Sequence, residues 1–142
     1  MSSVSVTRKT ISCAAAMTAA QAAVRKAEQM GIRINVSVCD SAGLEMAFLR
    51  MDRAFIHSME IARDKAFTSA GFGMPSGHWK TIFEDNPGLE AGIVRREGVV
   101  TFGGGLPILE QEDLIGGIGV SGGSEAEDTE CAQAGLAELG LT

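Results

Sequence analysis

Between Phe102 and Gly123 the chain reads FGGGLPILEQEDLIGGIGVSGG, with eight glycines and one proline in a single short stretch. Each glycine in a regular element carries about 0.5–1 kcal/mol of extra ordering cost, so this density is kept only where backbone must bend or another group must come close. The blocks 103–108 and 118–123 read as two antiparallel strands whose far ends are backbone-exposed loops. Gln111-Glu112-Asp113 is the hairpin connection between them. A functional site is expected beside these glycines.

The rest of the chain supplies partners for that hairpin. Thr10 or Ser12 is placed to cap a helix running to about Met30, rich in alanine and ended by Gly31. From Arg33 to Asp40, Ile34, Val36 and Val38 alternate with polar residues, the period of a half-buried strand, and Asp40-Ser41-Ala42-Gly43 turns the chain into a returning strand from Leu44 to Arg50. Phe55, Met59, Ala62, Ala66 and Ala70 recur at helical spacing from Ala54 to about Ala70, after which Gly71, Gly73, Pro75 and Gly77 break the helix. Residues 71–98 are irregular, with a short helix at His78 to Glu84 and a turn at Asn86-Pro87-Gly88. Three further strands follow at Val99 to Phe102, Leu106 to Glu110 and Leu114 to Val120. Ser124, with Glu127 three residues on, is a capping box opening a last helix to Leu139. Short turns between consecutive strands predict an antiparallel sheet, hence an α+β layered fold of five strands and packed helices.

Composition narrows the class of protein. With 142 residues and 45% hydrophobic content the chain, residues 1–142, fits one domain, and 5% aromatics means a core of Ala, Val, Ile, Leu and Met. A net charge of −6 argues against nucleic acid, which is held by clustered Lys and Arg. The alanine-rich stretch after Arg8-Lys9 lacks a leucine-rich segment and runs into Arg25-Lys26, so it reads as a helix and not a leader. No run reaches the length of a membrane span. Three widely spaced cysteines, Cys13, Cys39 and Cys131, suit free thiols. The expected location is cytoplasmic, without membrane or nucleic-acid partners.

Several residues could carry chemistry. Lys65 lies among Ala62, Ala66 and Ser69, where desolvation would depress its pKa and make it a base, nucleophile or anion anchor. The plainer reading is a surface lysine paired with Glu60, Asp64 or Glu45. Arg50 is either a carboxylate clamp or half of a corner-locking pair with Asp52. Asp40 is either a catalytic carboxylate or a turn residue bonding its own backbone. Ser121-Gly122-Gly123 leads into a helix N-terminus and could bind an anion, although three acids follow in the first turn. Gly103, Gly104 and Gly105 leave room for a ligand against free backbone N–H groups. Neither glycine run continues into a P-loop, and no His, Cys or acid pair has metal-ligand spacing.

The blocks VSVCDSAGLEMAFLRMD at 36–52, IARDKAFTSA at 61–70, GGGLPI at 103–108 and IGVSGG at 118–123, in this order, resemble the GlcG/HbpS-like proteins, which include the C-terminal domain of PduO adenosyltransferases. That resemblance covers about residues 8–140. It implies a profilin-like sandwich with a five-stranded antiparallel sheet, a homo-oligomeric assembly and, as in some members, haem as a candidate cofactor. His57 and His78 are the imidazoles on offer. Two readings stay open. One is a binding protein for haem or another flat small molecule, held between subunits against Phe55, Phe72, Trp79 and Phe102, with His78, Gly103, Gly104, Gly105 and Ser121 nearby. The other is a cofactor-independent enzyme of small-molecule catabolism using Lys65 with a carboxylate. In both, the ligand is placed between the second helix and the Gly103 loop. The apolar content of Phe72, Met74, Trp79, Ile82 and Phe83 suggests that oligomerisation buries part of the irregular segment.

Overall fold

A computed structural model describes residues 2–141. Its elements run α1 (Cys13–Met30), β1 (Asn35–Asp40), β2 (Glu45–Arg50), α2 (His57–Phe72), a 3-10 turn (Ser76–His78), α3 (Trp79–Phe83), α4 (Pro87–Ile93), β3 (Gly105–Glu110), β4 (Asp113–Ser121) and α5 (Glu125–Glu138). Caps set the long helices: Ser12 accepts from Ala15 N, and Gly31 at φ 72° ends α1. Ser124 and Glu127 form the expected capping box at α5.

Among the described residues the sheet has four strands, in the order β2-β1-β4-β3, all antiparallel. The α+β class holds and the fifth strand does not. Val99–Phe102 is irregular because its polar backbone is claimed from the side: Thr68 Oγ1 accepts from Val100 N at 3.0 Å and donates to Gly98 O at 3.0 Å. Phe102 O in turn accepts from Ser76 Oγ at 2.6 Å. A segment stitched to α2 in this way has no ladder to join.

The sheet divides the molecule into three layers. Val36, Val38, Ile118 and Val120 face α1 and α5, whose Ala16, Ala19, Ala20, Ala23, Cys131 and Ala132 complete the main core. α2 covers the opposite face, where Cys39 packs with Ala66 and Ala70. On that face β4 offers no side chain at Gly117 or Gly119: a Cβ at either would run into Ala66 O or Ala62 O. The irregular segment is better buried than its sequence suggests. Trp79 and Phe83 are buried and stacked at 5.3 Å, and Phe72 meets the Trp79 ring edge-on at 4.9 Å. Among the described residues no helix is long and apolar enough to cross a membrane.

Candidate functional site

The close seat of α2 on the glycine face brings one lysine into the interior. A Cβ on Gly105 would lie 2.6 Å from Lys65 O, so the start of β3 passes directly beneath this turn of α2. Lys65, only 1% exposed, spans the gap and donates from Nζ to Val120 O at 2.8 Å and to Asp128 Oδ2 at 3.1 Å. Asp128, in the first turns of α5, also accepts from Gly123 N through Oδ1 at 2.8 Å. Gly104 completes the fit. Its φ of +122° belongs to glycine, and a Cβ there would sit 2.5 Å from Lys65 Nζ. Lys65 is therefore no surface lysine: its partner is Asp128, not Glu60, Asp64 or Glu45, because its side chain crosses toward α5 instead of lying along α2.

Above this pair opens a cleft of about 210 Å³ whose walls include Phe55, Phe102, Ser58 and Ser121. The Phe102 ring lies 5.1 Å from Lys65 Nζ. Burial pushes the Lys65 ammonium down, against the pull of Asp128, and pushes the Asp128 carboxyl up, against Lys65 and the Gly123 N–H. The two proton affinities are thus driven toward each other, as desolvation of an ion pair requires.

Four of the backbone donors at the two glycine loops are engaged. Gly103 N donates to Glu125 Oε1 at 2.7 Å and Gly105 N to Ser76 Oγ at 2.9 Å. At the α5 N-terminus Gly123 N serves Asp128 and Ser124 N serves Glu127. The cleft lining sets Glu125 and Asp128 against the single Lys65 ammonium, so acidic groups outnumber basic ones there.

The structure brings Lys65, Phe55, Phe102, Gly103, Gly104, Gly105 and Ser121 together and leaves the other candidates elsewhere. Asp40 Oδ1 accepts from Ala42 N and Leu44 N at 2.9 and 3.0 Å, and Asp40 pairs with Gly116 at the end of β1 away from Ser121. It is the turn residue, not a catalytic partner of Lys65. Arg50 donates to Ala54 O at 3.1 Å rather than pairing with Asp52, so its guanidinium holds the chain ahead of α2. Phe72, at the end of α2, and Trp79 belong to an aromatic stack away from the Lys65 cleft. Asp128 was legible only as one of three acids opening α5. Nothing local in the sequence marks it as the lysine's partner, 63 residues away.

His78 lines a different and larger cavity. A groove of about 440 Å³ lies beside the strand that leaves the Gly103 loop, walled by Met74, Pro75, Leu106, Pro107 and Leu136. No charged side chain lines it, and His78 and Met74 offer an imidazole and a thioether. His57, the other imidazole, is exposed at the start of α2, one residue before Ser58.

Known proteins share this architecture. Corrinoid adenosyltransferase PduO of Salmonella typhimurium is 34% identical over 124 residues, which is 85% of this chain and 36% of that protein. The chain thus spans about a third of the length of that relative. The crystal structure of Klebsiella pneumoniae ORFY superposes with a TM-score of 0.91 at 30% identity, covering 100% of this chain and 99% of the other. The PduOC:heme complex superposes at 0.84 with 32% identity, covering 94% and 97%. The model of the family described as haem degrading protein HbpS-like matches residues 11–137, nearly the whole fold from the start of α1 to the end of α5, and the chain belongs to that family.

Proposed function

We propose that this protein binds a flat, largely apolar small molecule, with haem the leading candidate, in the groove bounded by the end of α2 and the strand following the Gly103 loop. The observation that carries the reading is a contrast between the two cavities flanking that loop. Ligand sites for molecules of this class occupy about 300–1,000 Å³ and are mostly apolar with few polar groups. The groove, at about 440 Å³, meets that range, and the Lys65 cleft, at about 210 Å³, does not.

The donor set fits haem as well. Imidazole and thioether are both established haem-iron ligands, and here His78 and Met74 share one uncharged lining. His78 and Met74 would hold the group, with Leu106, Pro107 and Leu136 excluding water from its ring. Bound haem would supply an iron centre. The relatives support this assignment, since a similar chain is known in complex with haem and the family is described by haem degradation. Lys65 then acts as the internal tie that positions the Gly103 loop, from which the groove wall Leu106-Pro107 continues. No observation favours an acid–base enzyme built on Lys65, because its amine and its carboxylate are each already engaged by the other and by backbone.

Haem titration of the purified protein followed by the Soret band tests the proposal. Binding that is lost or spectrally shifted in His78→Ala supports the groove. An unchanged titration in His78→Ala, or no Soret perturbation in the wild-type protein, overturns it.

A further inference from the structure

We propose a second site, for a soft monovalent metal ion such as Cu(I), in the cavity between α1 and the edge strand β2. Three sulfur-bearing residues line it: Cys13 and Met17 from α1 and Met46 from β2. Cys13 and Met17 stand at i and i+4, which makes them neighbours on one face of the helix. Met46 approaches from the strand opposite. The cavity, about 240 Å³, also has Ala20, Ala47 and Leu49 in its walls, and neither a carboxylate nor an imidazole lines it.

That donor set is selective by its chemistry. Thiolate and thioether ligands prefer Cu(I), whereas Mg(II), Ca(II) and Mn(II) need oxygen and Zn(II) is held by thiolate, imidazole or carboxylate. Two thioethers and one thiol therefore discriminate against the commoner divalent ions. Met46 packs against the main core, but Cys13 and Met17 are poorly explained as packing. Met17 is 50% exposed and Cys13 is exposed, although α1 has an all-alanine buried stripe that fills the core without them. The other two thiols do not compete on equal terms, because Cys39 and Cys131 are buried and burial pushes each up to about 11. The site lies on the α1 face at the β2 edge, whereas the proposed haem groove lies at the opposite, β3 edge of the sheet.

The experiment is an anaerobic competition of the full chain against a coloured Cu(I) chelator, with Zn(II) as the contrasting ion. The expected result is one Cu(I) per chain, lost in Cys13→Ser and weakened in Met17→Leu and in Met46→Leu, with no comparable Zn(II) binding. Leucine keeps the side-chain volume, and a thermal melt of each variant checks that it remains folded. If both leucine variants hold Cu(I) as tightly as the wild-type chain, the thioethers are not ligands and the site is overturned. Equal binding by Cys13→Ser overturns it as well. Since the haem titration reads His78 and this competition reads Cys13 and two methionines, either proposal can fail without the other.

Discussion

Lys65 and Asp128 show how burial changes what a charged residue is for. At the surface, such a pair contributes little, but here each member is about 1–2% exposed and has exchanged water for fixed partners. Lys65→Met keeps the stem and removes the charge, leaving the Asp128 carboxylate in the interior with only backbone N–H groups of Gly122 and Gly123 beside it. The expected cost is about 3–5 kcal/mol in urea unfolding, and the double variant Lys65→Met/Asp128→Leu should recover most of it. The sign of the pH dependence follows from Asp128. Its carboxyl is already held above its ordinary value by burial, and loss of Lys65 removes an opposing influence. The native state of the single variant then binds a proton more readily than the unfolded chain, so its deficit should shrink as pH falls toward the carboxylate range. A deficit that does not change with pH would show that the loss comes from packing and not from the stranded charge. The small residues around Lys65 allowed for its burial, but the plainer reading of the sequence, a surface lysine, is the one the structure overturns. The sequence could not show the partner, because Asp128 reads equally well as an acid that complements the α5 dipole.

At the scale of elements, the glycines of β4 decide how close α2 lies. Gly117→Val would drive a branched side chain into Ala66 O and against Ala70, and should cost at least the roughly 1–3 kcal/mol of an overpacked core. Gly88→Ala in α4 is the control, since nothing lies within 4 Å of its Cβ position and its backbone is helical. That change should leave the melting temperature unchanged or raise it. Equal effects from both would mean that the β4 glycines are not a seat for α2. Most elements were legible for a related reason: caps at Ser12 and Ser124 and terminators at Gly31 and Gly73 are local signals, whereas β1, expected half-buried from its alternation, is buried on both faces because helices cover the sheet on both sides. Val99–Phe102 shares the apolar look of a strand, yet its hydrogen bonds go to Thr68, a residue of a distant element that no local pattern encodes. The candidate site split for the same reason. Gly103 and Lys65 converge through packing that the glycines advertise, while His78 and Trp79, adjacent in sequence, end in different surroundings: one lines an open groove and the other is buried in an aromatic stack.

For the whole molecule, the open question of assembly moves to a new surface. The segment 72–83 buries Trp79 and Phe83 while Phe72 stays 49% exposed, so it argues for a partner less strongly than its sequence does. Among the exposed apolar residues, Phe55, 66% exposed, and Phe102, 44%, rim the Lys65 cleft, and Ile56, 67%, follows Phe55 in sequence. Edge-to-edge pairing through β3 is discouraged by Pro107, which has no N–H to offer a neighbouring strand. A side-chain contact across the Phe55–Ile56–Phe102 rim therefore suits a second copy better than sheet extension does, and self-complementary apolar patches of this kind close most readily as a two-fold pair. We expect a homo-oligomer in light scattering at micromolar concentration, and Ile56→Asp, which touches neither the core nor the His78 groove, should shift it toward the monomer while leaving the haem titration intact. A wild-type monomer under those conditions would remove the case for the interface, whereas an oligomer indifferent to Ile56→Asp would place it on another face.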